Sequence, residues 1–573
     1  MKSKIPFYDR REITNLKEML NTSAELYSEN AAFWVKKEKG EQYSPIKYKQ
    51  LKEDVDALGT ALMNMGLLGR KIAVIGENRY EWVVTYLAVV NGLGIIVPLD
   101  KELPKEEQLN LLERSEVDAV VYSDSYKQFF EETDIQYKIN MDPFDSNNEL
   151  YLLDLIQNGK NLIAQGNRDY MDADVNPDEL SIILFTSGTT DIAKGVMLCH
   201  RNICSVLLST CSMVHIHQTD RTLSILPIHH TFECSLGILL VLYRGASIAF
   251  CEGLKHIAKN IVEAKATVII GVPLIFESIH GKIWKQAKKS GKDAALKKAI
   301  KVNGTLKKIG IDLSRVLFKE IHKKFGGKLR LLVSGAAAID PEVVDGFEDF
   351  GIKVVQGYGL TECAPLVTGT PDCARKSDTI GIAIDKVDVD IFKPDSNGIG
   401  EIRCKGPNVM LGYYKDPVNT AKVMIDGWFH TGDLGYKDDN DYFYITGRKK
   451  NVIVTKNGKN VYPEEVEFYL NKSEYIEESL VSGIQNEQGD TLVSAQLRPA
   501  LDVIYEEFGE DFGENDLYDL LKKIVREFND RMPIYKRIRD FNIRNEEFIK
   551  TTTKKIKRHI NTPIQMASKK IKK

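Results

Sequence analysis

The chain has 573 residues, 43% hydrophobic and 28% charged, the make-up of a folded protein larger than one compact core organises. Its 78 basic and 81 acidic side chains leave a formal net charge of -3, which speaks against a dedicated nucleic-acid binder. The eight cysteines include no C-x-x-C pair, which excludes a zinc knuckle or a thioredoxin-type dithiol and fits a reducing compartment.

From Ile72 onward, short apolar runs alternate with amphipathic stretches. Ile72 to Ile75 reads as a buried strand, Glu81 to Asn91 as a helix and Gly94 to Val97 as the next strand. Ala119 to Tyr122, Ser181 to Phe185, Thr222 to Leu226, Thr267 to Ile270 and Leu329 to Val333 continue the pattern. Strands at this spacing with helices between them predict α/β architecture with largely parallel sheets. After about Thr379 the strand-like runs come closer: Val387 to Phe392, Gly400 to Cys404, Tyr442 to Ile445 and Asn451 to Val454. They predict a β-rich subdomain followed by a small α+β terminal domain. The expected division is a large N-terminal domain, residues 1–446, and a small mobile C-terminal domain, residues 447–573. No internal repeat is present.

The first residues lack a secretory apolar stretch. Apolar runs such as Gly237 to Tyr243 fall short of the roughly 20 residues that cross a bilayer. A cytoplasmic protein is expected. Between Gly281 and Arg330 sixteen Lys/Arg face three acids, Asp293, Asp312 and Glu320. This segment reads as a solvated helical insertion, or as a contact surface for anionic lipid at the inner face of a membrane or for ligand phosphates. From Lys550 to the end there are nine Lys/Arg and no acid, and the same two readings apply.

The most informative run is Phe185-Thr186-Ser187-Gly188-Thr189-Thr190-Asp191-Ile192-Ala193-Lys194-Gly195. A buried strand ends in hydroxyl- and glycine-rich backbone, followed by a lysine. Free N–H groups and small hydroxyls can wrap phosphate oxygens, and a flexible cation can follow the charge. No Gly precedes Lys194 and no Ser/Thr follows it, so this is not a Walker A loop.

The run resembles the phosphate loop T-S-G-T-T-G-x-P-K-G of the adenylate-forming superfamily, which includes acyl-CoA synthetases, firefly luciferases and peptide-synthetase adenylation domains. Asp191 stands for a Gly and Ala193 for a Pro. Further motifs resemble the family in order. Ile225 to Glu233 resembles the aromatic/His segment beside the acyl pocket and contains His230. Ser334-Gly335-Ala336-Ala337 resembles the adenine-contacting turn, and Tyr358-Gly359-Leu360-Thr361-Glu362 the Y-G-x-T-E motif. The resemblance implies that Tyr358 lies against adenine, Thr361 contacts the α-phosphate and Glu362 helps hold Mg²⁺. Thr431-Gly432-Asp433 resembles the ribose-binding T-G-D motif. By the same resemblance Arg448 contacts ribose and phosphate, Lys450 is the hinge and Gly458 faces the pantetheine tunnel. Lys550-Thr551-Thr552-Thr553-Lys554-Lys555-Ile556 resembles P-K-T-x-x-G-K-[IV], with Lys555 in the place of the catalytic lysine.

The implied chemistry has two halves. A carboxylate attacks the α-phosphate of ATP to give an acyl-adenylate, and the thiol of coenzyme A then displaces AMP. The His-His-Thr-Phe-Glu run, the basic insertion and Arg448-Lys449-Lys450-Asn451-Val452-Ile453-Val454 resemble bacterial long-chain fatty acid:CoA ligases. Transfer to an acyl carrier protein, a stand-alone acyl-AMP ligase, a luciferase-like oxidase and a non-catalytic nucleotide-binding lipid-surface protein remain as alternatives.

Overall fold

The computed structural model describes residues 5, 7–38, 40–142, 150–186, 193–455, 458–486, 490–551 and 555–561. Two large sheets form the body. The first runs Gly412–Tyr413, Lys194–Cys199, Leu180–Thr186, Ile95–Pro98, Lys71–Ile75, Ala119–Tyr122, Tyr137–Asn140 and Leu150–Tyr151. From Leu180–Thr186 onward all neighbours are parallel. Ile72 to Ile75 and Ala119 to Tyr122 are wholly buried, as apolar runs in a parallel sheet covered on both faces must be.

The second sheet runs Ile382–Ala383, Thr368–Gly369, Lys353–Tyr358, Leu331–Ser334, Val268–Gly271, Arg221–Ser224, Ser247–Phe250, Ala31–Val35 and Ser44–Lys47. Its six central strands are parallel. The strand expected at Thr222 to Leu226 ends at Ser224. Beyond it Asn78 grips the chain, donating to the Leu226 carbonyl at 2.6 Å and accepting from the Ile228 N–H at 3.1 Å.

Helices Leu16–Leu26, Tyr48–Asn64, Tyr80–Val90 and His200–Met213 share one apolar core with both sheets. His200 pins three of them. Its Nδ1 accepts from the Leu16 N–H at 3.0 Å and its Nε2 lies 2.9 Å from the Val90 carbonyl. Burial pushes this imidazole down to about 4, so it is neutral and Nε2 carries the proton.

The expected β-rich subdomain is an antiparallel sheet of Asp388–Phe392, Gly400–Lys405, Trp428–Lys437, Met424–Ile425 and Phe443–Arg448. After it a 3-10 turn, Lys449–Asn451, shortens the expected strand at Asn451 to Ile453–Val454, which pairs with Asn460–Val461. Helices Pro463–Leu470 and Glu514–Arg531 then pack on the sheet Ile476–Gln485, Thr491–Pro499 and Asp540–Ile543. Val466, Val481, Leu497, Leu521 and Val525 give this part an apolar core separate from that of the body.

The basic segment folds as the helices Pro273–Lys289, Asp293–Lys307, Ser314–Leu317 and Lys319–Lys324. Among the described residues no helix is long and apolar enough to cross a membrane. The basic stretch 562–573 lies outside the described residues.

Candidate active site

The strands Leu180–Thr186 and Lys194–Cys199 place Thr186 opposite Lys194 at the ends of a hairpin. Ser187, Gly188, Thr189, Thr190 and Asp191 lie outside the described residues. Arg114 steadies the base of the hairpin by donating to the Ala193 carbonyl at 2.8 Å.

Strand Gly412–Tyr413 pairs with Lys194–Cys199, which sets Tyr413 opposite Val196 and beside Lys194. The Lys194 ammonium lies 4.8 Å from the centre of the Tyr413 ring, within cation–π range. The Tyr413 hydroxyl donates to Glu362 Oε1 at 2.9 Å. Burial and the Glu362 carboxylate both push the phenol well up, so it remains a donor. One ring thus links the cation after the phosphate loop to the carboxylate expected to hold metal.

Thr361 and Glu362 sit on a 3-10 turn, Thr361–Cys363. Gly359 sets up that turn. A Cβ there would lie 1.7 Å from the Pro365 carbonyl oxygen, so only glycine lets the two segments meet.

The next wall is a knot of three residues. Tyr358 ends the strand Lys353–Tyr358, and its hydroxyl donates to Asp433 Oδ2 at 2.7 Å. Asp433 faces Arg448 across two antiparallel strands, and Arg448 Nε lies 2.6 Å from its Oδ1. Burial pushes the Asp433 carboxyl up, while Arg448, the Tyr358 hydroxyl and Lys555 pull it down. Each carboxylate oxygen holds one protein donor and retains lone pairs for a ligand hydroxyl.

Gly335, Ala336 and Ala337 follow the strand Leu331–Ser334. A Cβ on Gly335 would meet the Phe232 ring at 2.8 Å, so glycine allows that contact. Ala336 adopts φ 70°, the left-handed region that alanine rarely enters. Ala336 and Ala337 are exposed.

His230 and Glu233 come from the segment after Arg221–Ser224. The His230 ring accepts from the Phe232 N–H at 3.2 Å. Burial, then His229 and Lys555, push His230 down to about 3, so it is neutral. Glu233 enters the π-helical stretch Phe232–Leu239 and is 1% exposed. Neither carboxyl oxygen has a well-formed hydrogen bond, although the Ser224 hydroxyl and Leu226 N–H are near. Burial pushes this carboxyl up to about 8, so it is protonated at neutral pH.

Lys555 comes from the C-terminal part to lie in the charge field of Arg448, Asp433 and His230. Its backbone N–H donates to Thr551 Oγ1 at 3.1 Å, and Lys550 and Ile556 bridge across the turn. The residue as a whole is exposed, yet protein crowds its ammonium. That crowding lowers its pKa, Arg448 adds to the effect and Asp433 opposes it. Lys450 is exposed on the turn Lys449–Asn451. Gly458 has φ 67°, and a Cβ there would meet nothing within 4 Å, so its backbone conformation alone calls for glycine.

The contacts above gather Thr186, Lys194 and Glu362 around Tyr413, and gather Tyr358, Arg448 and Lys555 around Asp433, with His230 within the charge field of Lys555. Tyr413 and Arg114 escape the sequence reading because tertiary pairing alone places them. Glu233 carries a legible signal, a single acid opening an apolar helical run.

No group of three or more His, Cys, Asp or Glu among the described residues is arranged to hold a metal. Glu362 still fits Mg²⁺: it is a hard oxygen donor with one oxygen oriented by Tyr413, whose ring also carries the Lys194 ammonium. Such an ion would arrive with nucleotide phosphates as its other ligands.

Residues 20–414 match the AMP-binding enzyme family and residues 450–562 match the AMP-binding enzyme C-terminal domain. The chain belongs to the AMP-binding enzymes, the adenylate-forming class that its motifs resemble. It is 29% identical to fatty acyl-CoA synthetase B of Dictyostelium discoideum, covering 90% of this chain and 82% of that protein. It is 30% identical to long-chain-fatty-acid–CoA ligase 5 of Rattus norvegicus, covering 77% of this chain and 69% of that one. ATP-bound MatB from Rhodopseudomonas palustris shares the fold, with a TM-score of 0.73 at 23% identity over 94% of this chain and 98% of that one.

Proposed function

We propose that this protein is a long-chain fatty acid:CoA ligase that uses ATP and Mg²⁺. The observation that carries the reading is the gathering of these side chains. Asp433 and Arg448 offer a ribose site, Lys194 a phosphate cation, and Lys555 reaches the same place from the C-terminal part. The fatty substrate is supported by the names of the relatives at 29–30% identity.

In the first half-reaction the acid's carboxylate attacks the α-phosphorus of ATP. A bond forms from carboxylate oxygen to phosphorus, and pyrophosphate leaves. Two anions must approach, so neutralising charge is the main catalytic demand. Lys555 and Lys194 meet it with ammonium groups, Thr361 donates to the α-phosphate, and Thr186 with Ser187 to Thr190 wraps the departing oxygens. Tyr358 with the turn Gly335 to Ala337 holds adenine. Mg²⁺ on Glu362, when bound, would neutralise the phosphate oxygens. Neutral His230 lines the acyl side, where a cation would attract the carboxylate away from phosphorus.

In the second half-reaction the small C-terminal part turns about Lys450. Lys555 withdraws and Gly458 takes its place, where a bare backbone leaves room for pantetheine. The thiolate attacks the acyl carbonyl and AMP leaves. Ion pairs across the two parts include the exposed Lys285 with Glu506 at 2.5 Å and the half-buried Lys472 with Asp340 at 3.0 Å. Exposed pairs contribute little, about 0–1 kcal/mol each, so they allow the turn.

Pyrophosphate and AMP release should be followed with ATP, Mg²⁺ and acids from acetate to oleate, with and without CoA. Turnover that requires a long-chain acid and CoA supports the proposal. Pyrophosphate limited to one equivalent and indifferent to CoA would point instead to acyl carrier protein as acceptor. No release with any acid would overturn it.

A further inference from the structure

His229 and His230 stand at a seam between the two large sheets. They follow the strand Arg221–Ser224 of the second sheet, yet two side chains that hold their segment come from the first. Asn78 lies just past the strand Lys71–Ile75, and Asp100 just past Ile95–Pro98. These strands are parallel neighbours, so both residues emerge at the carboxyl ends of one sheet, where α/β folds open their ligand crevices.

Asn78 commits its whole amide to this segment. Its Nδ2 donates to the Ser224 hydroxyl oxygen at 2.8 Å and to the Leu226 carbonyl at 2.6 Å, and its Oδ1 accepts from the Ile228 N–H at 3.1 Å. Both amide hydrogens are thereby used, on every second residue from 224 to 228. Asp100 meets the next residue along. Its Oδ1 accepts from the Glu102 N–H at 2.9 Å, which orients the carboxylate, and its Oδ2 lies 3.5 Å from His229 Nε2. Both side chains of this contact are largely buried, so water screens it little. Among the described residues the His230 ring bonds only to the Phe232 N–H, two positions along the same segment. His230 therefore inherits its position from the backbone that Asn78 and Asp100 hold.

We propose that Asn78 and Asp100 are positioning residues for the acid substrate: they clamp residues 224–229 from the opposite sheet and so set His230 where the carboxylate end of the acid is received. The inference rests on the ligase reading and deepens its acyl side. Both residues act through the histidine segment and not on the reacting atoms. The demand for such a clamp is physical, since a shift of about 1 Å in a substrate-positioning group can cost two orders of magnitude in rate. A pin that served folding alone would lower the thermal midpoint and leave the recognition of acid untouched.

Initial rates of pyrophosphate release by the full chain should be measured with Mg²⁺ and CoA, varying oleate and ATP in turn. Asn78→Ala should raise the KM for oleate about tenfold and leave the KM for ATP within about twofold. Asn78→Asp keeps the shape and the bond from the Ile228 N–H, but it sets an oxygen against the Leu226 carbonyl oxygen. It should therefore be no better than Asn78→Ala. Asp100→Asn, nearly isosteric, should raise the KM for oleate about threefold. Because both residues hold one segment, Asn78→Ala combined with Asp100→Asn should fall short of the product of the single effects. An unchanged KM for oleate in both single variants, with turnover by the native chain, overturns the clamp and leaves the ligase reading standing. Equal rises in the KM for oleate and for ATP also overturn it, being the mark of a general loss of packing. If Asn78→Ala does not fold, Asp100→Asn decides on the same readout. No pyrophosphate from the native chain with any acid overturns both readings.

Discussion

The two sides of the candidate site are finished differently. On the proposed ribose side Tyr358, Asp433 and Arg448 satisfy one another, and Asp433 is 4% exposed. On the proposed phosphate side Lys194 and Lys555 make no ion pair among the described residues, and Lys194 lies against an aromatic face. The ribose keeps one charge state throughout the proposed reaction, so a preset geometry serves it. The phosphates gain and lose charge, and cations already neutralised by protein carboxylates would have little left to offer.

The largest effect should come from the side with uncommitted charge. Lys555→Ala is expected to slow acid-dependent pyrophosphate release at least about 100-fold. Thioester formation from supplied acyl-AMP should persist, and equal loss in both assays would remove the distinction between the halves. Asp433→Ala comes next: kcat/KM for ATP should fall by about 10- to 100-fold, chiefly through KM, because the ribose contacts are made in ground and transition states alike. A change confined to kcat would mean that the knot serves the chemical step.

Tyr413→Phe sharpens the comparison by touching its hinge point. It keeps the ring beneath Lys194 and deletes only the donor to Glu362. The Mg²⁺ needed for half-maximal nucleotide binding, read by calorimetry, should rise a few-fold, in line with about 1 kcal/mol for one hydrogen bond. The KM for acid should stay unchanged.

Glu233 belongs to neither side, and its effect falls on stability instead of turnover. Its carboxyl is held up at about 8 from an ordinary 4.5, so between these values the folded chain keeps a proton that the unfolded chain has released. Stability present below pH 4.5 is therefore lost as pH rises toward 8, by at most about 1.4 kcal/mol per unit. Thermal midpoints should decline from pH 5 to 8 more in the native chain than in Glu233→Gln. Parallel declines would show that the group does not titrate in that range.

Continuous apolar runs such as Ile72 to Ile75 and Ala119 to Tyr122 are legible in the sequence because burial on both faces leaves no room for polar residues. The site motifs are legible because each places its chemistry within a few neighbouring residues. The strand Arg221–Ser224 stops two residues short of its apolar run, since the Asn78 side chain that ends it comes from another strand's loop. The link from Tyr413 to Glu362 crosses 51 positions, and no local spacing encodes it.

Ala336 carries a consequence for the adenine contact proposed above. Its φ of 70° is a conformation that glycine would hold without the roughly 1 kcal/mol steric cost of a β-carbon. Alanine, however, has far fewer backbone states to abandon. A turn made with it is already shaped in the empty enzyme, so less disorder has to be surrendered when adenine arrives. The strain is borne once, during folding, instead of being met again in every catalytic cycle.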